Sequence, residues 1–409
     1  MKKRVVITGI GIHSCIGETI EEVKQSLFNG KSGIVFDEER IKIGYQSGLT
    51  GFVRDKDLSD LLNRRQRIGM GEPSRFAFLS THNALIDAKI DSDYILNNEV
   101  GIIMGNDSTV VDAFESLTML NEKKDTSLMG SSHIFKGMNS TVTMNLATIY
   151  KINGINLTIS AACASGSHSV GLGYSMIKNG LQDMVICGGA QEIGKISMAT
   201  FDALGVFSKR NNEPKLSSRP FDKNRDGLIP SGGGATLILE DYDKAIARGA
   251  KIYGEILSYA FSSNASDHLS TPNVEGPSKA MKKALEYANL KPHEIDYINA
   301  HATSTPVGDI NEAKAILNVF GKDCPFVSST KSMTGHECWM AGASEIIYSL
   351  IMMENDFIAP NINVENIDPE CEGLNLVTKT KQHKINTFLS NSFGFGGTNA
   401  SIIIKKLNN

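Results

Sequence analysis

Short runs rich in β-branched and other apolar residues recur along the chain at residues 4–8, 100–104, 155–159, 183–187, 235–239, 325–328 and 401–404. Each is too short for a helix and gives way to small or polar residues, so each predicts a buried strand. Between them, apolar positions return at helical spacing, most clearly at Ser165–Lys178 and at residues 278–288, 310–319 and 341–353. Strands alternating with helices predict an α/β layered fold. The helical pattern at residues 244–253 breaks at an Ala-Arg-Gly-Ala turn before a further strand. That places a seam near residue 250 and predicts two halves, residues 1–250 and 251–409. The halves carry similar passages, LTISAACASGSHSVGLGYSMIKNG around Cys163 and VSSTKSMTGHECWMAGASEIIYSLIMMEN around His336. Both read as strand, sharp turn, reactive side chain and small-residue helix.

Composition narrows the function classes. With 409 residues, 41% hydrophobic and 21% charged, the chain has ample material for a large core. A net charge of −4 gives no global nucleic-acid or membrane footprint, so any basic docking site is a local patch. Six cysteines without a Cys-x-x-Cys pair predict a reducing, cytoplasmic setting. The apolar stretch after Met1-Lys2-Lys3-Arg4 is broken by Gly9 and Gly11 and runs into His13-Ser14-Cys15. It reads as a strand and a turn, because a cleaved leader ends in a small-residue site. No window approaches the ~18 apolar residues of a membrane span.

Several motifs fail on their spacing. Gly9-Ile10-Gly11 follows a strand, but the third glycine of a dinucleotide fingerprint would fall on Ser14. His336-Glu337-Cys338 begins like a zinc-protease helix, yet the second histidine would be Met340, and no catalytic metal set survives. Ser165 and Ser167 flank Gly166 without the pattern of a hydrolase elbow.

Cys163 stands between a strand and a helix, where it meets the free N–H groups and the positive end of that helix. Such a terminus supplies up to ~2 kcal/mol, roughly 1.5 pKa units, and predicts thiolate character near neutrality. His301, after the strand-like residues 296–299, and His336, closing Lys331-Ser-Met-Thr-Gly-His336, both lie in loops at strand ends. Loops of that kind gather chemistry in α/β folds. A cysteine, two histidines and a nearby lysine form acyl-transfer equipment: a nucleophile, two donors for developing negative charge and an orienting cation. Glycines in Phe393-Gly394-Phe395-Gly396-Gly397 suit a backbone that approaches this centre closely.

VVITGIGIHSCIG, SAACASGSHS, RPFDKNRDG, HATSTPVGD, TKSMTGH and SNSFGFGGTNA occur in that order. On these motifs the chain resembles the β-ketoacyl-acyl-carrier-protein synthases of types I and II, type I most nearly, over residues 1–409. The resemblance implies a thiolase-like fold, two similar halves in five α-β-α-β-α layers. It also implies decarboxylative condensation on carrier-bound thioesters without an organic cofactor, and an acyl carrier protein as partner. A homodimer, or a heterodimer with a related subunit, is implied as well.

By position, Cys163 matches the acyl-accepting nucleophile, and His301 and His336 the pair assisting decarboxylation and condensation. Lys331 matches the lysine orienting this group, with Glu312 as its carboxylate partner. Phe395 matches a gate whose backbone N–H joins that of Cys163 in an oxyanion hole. Thr303 and Thr305 match threonines that hold the phosphopantetheine arm. Asn299, Glu345, Ser390 and Asn391 match a structural monovalent cation site of some members. The basic clusters Arg64, Arg65, Arg67 and Lys123, Lys124 are candidates for carrier docking.

The chain departs from the family pattern in two places. Glu337-Cys338-Trp339-Met340 replaces the small residues expected after His336, and Asp107 stands where glycine or an apolar residue lines the acyl tunnel. A carboxylate in that tunnel disfavours saturated tails. The sequence therefore leaves two substrates open: saturated chains of fatty-acid elongation, or conjugated or polar chains of an aryl polyene or polyketide system.

Overall fold

The computed structural model describes residues 2–265, 268–270 and 272–407, so Met1 and Asn409, the outer ends of the expected halves, lie outside it. Among the described residues, one eleven-stranded sheet runs through both halves. The first half contributes β1 (Val5–His13), β2 (Val100–Gly105), β3 (Asn156–Ile159), β4 (Met184–Gln191) and β5 (Gly233–Asp241), in the spatial order β1-β5-β4-β2-β3. The second contributes β6 (Gly254–Ser263), β7 (Tyr297–Asn299), β8 (Phe326–Ser328), β9 (Thr387–Phe393) and β10 (Thr398–Lys405), in the order β6-β10-β9-β7-β8. A two-residue edge strand, Asn375–Leu376, extends β8.

The two orders are the same. In each half, the first pairings are antiparallel (β1 with β5 and β5 with β4; β6 with β10 and β10 with β9). The next two are parallel (β4 with β2 and β2 with β3; β9 with β7 and β7 with β8). The halves meet where β1 pairs with β6 through Val6 opposite Glu255 and Ile7 opposite Gly254. The resemblance read between the two passages is thus a repeat of whole topology.

Helices complete five layers. Helix α1 (Glu72–Asp87) covers the outer face of β1 and β5, and α3 (Glu275–Ala288) with α4 (Pro306–Phe320) covers that of the second half. Between the two sheet portions lie α2 (Ser165–Lys178) and α5 (Ala341–Glu354), packed on each other and buried nearly throughout. Every residue of α5 from Ala341 to Met353 is buried, so it carries no polar solvent face, and its buried Ser344, Glu345 and Ser349 are hydrogen-bonded within the core.

Two sequence expectations change. The first strand extends through Gly9 and Gly11 instead of ending at residue 8. Both glycines remain in strand because α1 lies so close that a Cβ on Gly11 would sit 2.0 Å from the Ser80 carbonyl. Helix α1 itself escapes a periodicity reading because Ser74, Ser80 and Thr81 are buried beside its apolar residues. No helix of the described residues is long and apolar enough to cross a membrane.

Candidate active site

The repeat brings two strand-to-helix turns together. Cys163 sits on a 3₁₀ turn, Ala162–Ala164, between β3 and α2. Ala162 is left-handed (φ 46°), a conformation that costs an L-residue roughly 1–2 kcal/mol. Side chains hold it there. Asp107 Oδ2 accepts the Ala162 N–H at 2.8 Å, and Ser165 Oγ accepts the Ala161 N–H at 2.8 Å while donating to the Ala162 carbonyl at 2.7 Å. Gly394 passes so near that a Cβ there would lie 3.1 Å from Cys163 N. This close passage lets the Phe395 N–H reach the Cys163 thiol.

His301 follows β7, and its loop is tied to α4 by Glu312, which accepts the backbone N–H of His301 at 2.9 Å and of Ala302 at 2.6 Å. His336 follows β8 and the short helix Lys331–Thr334, past Gly335 at φ 67°. Its Nδ1 accepts the Cys338 N–H at 3.2 Å, so the neutral ring carries its proton on Nε2, which has no partner among the described residues. The His301 and His336 rings stand 5.4 Å apart at 85°. One ligand atom each from Cys163, His301 and His336 lies within 4.8 Å of the others. Such a trio could also grip a soft divalent metal, but tetrahedral zinc would need a fourth ligand from outside the set.

Burial governs the electrostatics. Both histidines titrate well below the usual 6.5, first through desolvation and then through the Lys331 charge, so they are neutral at physiological pH. The Cys163 thiol is pushed up to about 11 by burial, with Lys331 and the Phe395 N–H pulling the other way. Burial thus works against the expected thiolate, because desolvation favours the neutral thiol.

The ion pair also differs from expectation. Lys331 Nζ pairs with Glu345 Oε1 on α5, and not with Glu312. Glu312 has its oxygens occupied by the two backbone N–H groups and, at 3.3 Å, by Asn391 Nδ2. Glu312 is thus a loop anchor. Glu345 Oε2 and Ser390 Oγ are buried without partners, Asn299 Nδ2 reaches the Glu345 carbonyl at 3.3 Å, and Asn391 Oδ1 accepts Ser401 Oγ at 2.8 Å.

A cavity of 410 Å³ opens onto the trio. Thr303 and Thr305 line it with their hydroxyls 3.1 Å apart, and Phe395 lines it with its ring stacked 6.2 Å from Phe201. Asp107 is absent from the lining. Its carboxylate is drawn instead to the left-handed turn, where a free N–H offers a charge-assisted hydrogen bond. Asp107, expected in the acyl tunnel, is thus hydrogen-bonded to the nucleophile turn and does not line this cavity. Arg64 and Arg65 are exposed on a short helix, Arg67 leans 3.6 Å from Asp57, and Lys123 and Lys124 are exposed at the end of the helix Val110–Lys123.

Some site residues had no assigned role at the sequence level. Asp309 accepts the N–H groups of Thr303 and Thr305 at 3.1 and 3.2 Å and faces Arg225 at 3.4 Å. Arg225 in turn donates to the Thr305 and Pro306 carbonyls. The buried pair thus shapes the threonine loop and explains why RPFDKNRDG and HATSTPVGD belong together. Cys338 lines the cavity beside Cys163, with Trp339 against both.

The geometry agrees with the comparisons. The family model for the beta-ketoacyl synthase N-terminal domain matches residues 2–245, and that for the C-terminal domain matches residues 253–365. The chain is 42% identical over 409 residues to the 3-oxoacyl-[acyl-carrier-protein] synthase 1 of Haemophilus influenzae, covering 99% of this chain and 100% of that one. A beta-ketoacyl synthase from Burkholderia phymatum has the same fold (TM-score 0.94, 33% identity, 99% of this chain and 100% of that chain). A type II polyketide ketosynthase in complex with its acyl-carrier protein is similar too (TM-score 0.90, 28% identity, all of both chains). From a topology repeated in both halves, a buried Cys-His-His centre and similarity over its whole length, the chain belongs to the beta-ketoacyl synthase family.

Proposed function

We propose that the protein condenses an acyl group held on Cys163 with a malonyl group on an acyl carrier protein, releasing carbon dioxide and a 3-oxoacyl carrier two carbons longer. One observation carries this reading: a nucleophilic sulfur and two neutral imidazoles within 4.8 Å at the end of a cavity whose threonine hydroxyls can hold a pantetheine arm. Cys163 Sγ attacks the acyl thioester, the bond to the first carrier's sulfur breaks, and the Cys163 proton ends on that departing thiolate. The Phe395 N–H, close enough to favour negative charge on the Cys163 sulfur, is placed to stabilise the oxyanion.

The malonyl carrier then enters, and its carbon–carbon bond to the carboxylate breaks. The electron pair passes to an enolate whose oxygen accepts hydrogen bonds from His336 Nε2–H and His301. The enolate carbon attacks the acyl-cysteine carbonyl and expels the Cys163 sulfur. Neutral histidines suit this step, because a donor that keeps its proton stabilises the enolate without quenching it. Lys331, held in place by Glu345, keeps a positive charge beside the site that favours the negative charge developing there.

Asn299, Glu345, Ser390 and Asn391 would hold a monovalent cation; the orphaned Glu345 Oε2 and Ser390 Oγ support this assignment. Carrier docking is assigned to Arg64, Arg65, Arg67, Lys123 and Lys124, and a cytoplasmic setting suits the free cysteines. A homodimer would cover the open edge of β3, whose Leu157 is exposed and shares a depression with Met138.

The test is carbon dioxide release from malonyl carrier with and without an acyl primer, alongside the intact mass of the protein. Condensation predicts a primed burst of carbon dioxide, an acyl adduct on Cys163 and a 3-oxoacyl carrier. Absence of the adduct sinks the reading.

A further inference from the structure

The inner wall of the cavity is built from Cys163, Cys338, Met198 and Phe201, and its mouth is marked by Leu269 and Val307, 84% and 54% exposed. An acyl group on Cys163 has to extend inward, because the threonine pair and the mouth belong to the arm that delivers it. Directly behind the inner wall stands Trp339. Its indole packs in one apolar cluster with Cys163 and Cys338, and Ala162 and Phe201 close against that cluster. The Phe201 ring lies 6.3 Å from it. Trp339 is 6% exposed and outside the cavity lining itself, so its indole occupies packed space next to the wall formed by Cys338 and Phe201.

The indole cannot simply withdraw. Its own backbone is wedged between β4 and α2: a Cβ on Gly189 would lie 2.6 Å from the Trp339 carbonyl, and one on Gly166 would lie 3.0 Å from it. Its Nε1–H is buried and has no acceptor among the described residues. A donor left unpaired costs about 1–3 kcal/mol, so packing alone holds the ring where it is. This residue replaces one of the small residues that the motif after His336 otherwise carries, which makes the obstruction a property of this chain.

We infer that Trp339 is the end wall of the acyl chamber and restricts Cys163 to short acyl groups. The inference rests on the acyl-Cys163 reading above. Phe201, stacked on both Phe207 and the gate residue Phe395, is the cavity-facing side of that wall. Overfilling a close-packed interior is costly, so the boundary is sharp in chain length.

The experiment loads an acyl carrier protein with saturated groups from acetyl to hexadecanoyl and follows formation of acyl-Cys163 by intact mass. Wild type accepts acetyl to hexanoyl and loses about tenfold or more in loading rate by dodecanoyl. Trp339→Ala and Trp339→Leu raise the dodecanoyl-to-acetyl ratio by about tenfold, whereas Trp339→Phe, which keeps an aromatic wall, keeps the wild-type ratio. Two variants guard against one failing to fold, and the wild-type length profile decides the matter even without them. Equal loading of hexadecanoyl and acetyl by wild type, or an unmoved ratio in the folded Ala or Leu variant, overturns the end-wall assignment alone. Absence of any adduct on Cys163 overturns the function reading and this inference with it.

Discussion

Asp107 Oδ2 holds the backbone N–H of Ala162 at 2.8 Å, one residue before the nucleophile. A side chain at the end of β2 thereby stabilises the left-handed residue that aims Cys163 at the two histidines. The bond is a carboxylate-to-amide contact, a type that contributes about 1.5–3 kcal/mol.

Replacing that acceptor tests its role. Asp107→Gly should lower kcat/KM by about tenfold, equivalent to about 1.4 kcal/mol, and Asp107→Asn should recover most of it because its amide oxygen still accepts. The same loss should apply to saturated and polyunsaturated acyl carriers. A shift in the ratio of the two, without a general loss, would return Asp107 to the acyl tunnel.

The raised thiol pKa sets a pH dependence. With Cys163 pushed up to about 11, the thiol is protonated below that value and the thiolate fraction climbs about tenfold per pH unit. Iodoacetamide labelling of Cys163 should therefore rise continuously from about pH 7 to about pH 9. A plateau already reached at neutrality contradicts the burial argument. Decarboxylation of malonyl carrier by Cys163→Ala should persist with no inflection near pH 6.5, because both histidines stay neutral there.

Buried carboxylates set the acid side of stability. Glu192, Glu312 and Glu337 are each raised to about 7 by burial, from an unfolded value near 4.5. Between those values the native state binds more protons than the unfolded chain, so stability is greatest below about pH 4.5 as far as these groups go and declines as pH rises through about 7. Glu337, held by Ser344 Oγ and by Tyr348 Oη at 2.8 Å, is the clearest case. Glu337→Gln should flatten the fall in Tm between about pH 5 and about pH 8. An unchanged slope would mean that Glu337 titrates normally.

Carrier docking is tested by charge reversal. Among the described residues Arg64 and Arg65 carry no ion pair, unlike Arg67. Arg64→Glu with Arg65→Glu should raise the KM for the carrier several-fold at low salt, with the effect fading as ionic strength rises. An unaltered KM at low salt removes this face from the docking surface.

What the amino-acid sequence determined was local or ordered along the chain. Ser165–Lys178 is the helix its periodicity predicts, and the cysteine and histidines at the strand ends converge as their motifs imply. The two matching passages proved to be corresponding turns of a repeated topology. These features survive translation from sequence because a strand-turn-helix passage is written in consecutive residues.

Relations between residues far apart in sequence were decided only by the tertiary structure. Lys331 chose Glu345 over Glu312 because α5 brings that carboxylate to it while two nearby N–H groups claim the other. Asp107 serves the Ala162 turn because a free N–H in a strained loop binds a carboxylate more strongly than a hydrocarbon tunnel tolerates one. The Cys163 thiol is raised because desolvation depends on every layer packed over it, which no window of sequence contains. Trp339, an anomaly in its motif, acquires a meaning only where Gly166 and Gly189 wedge its backbone and Phe201 closes against it.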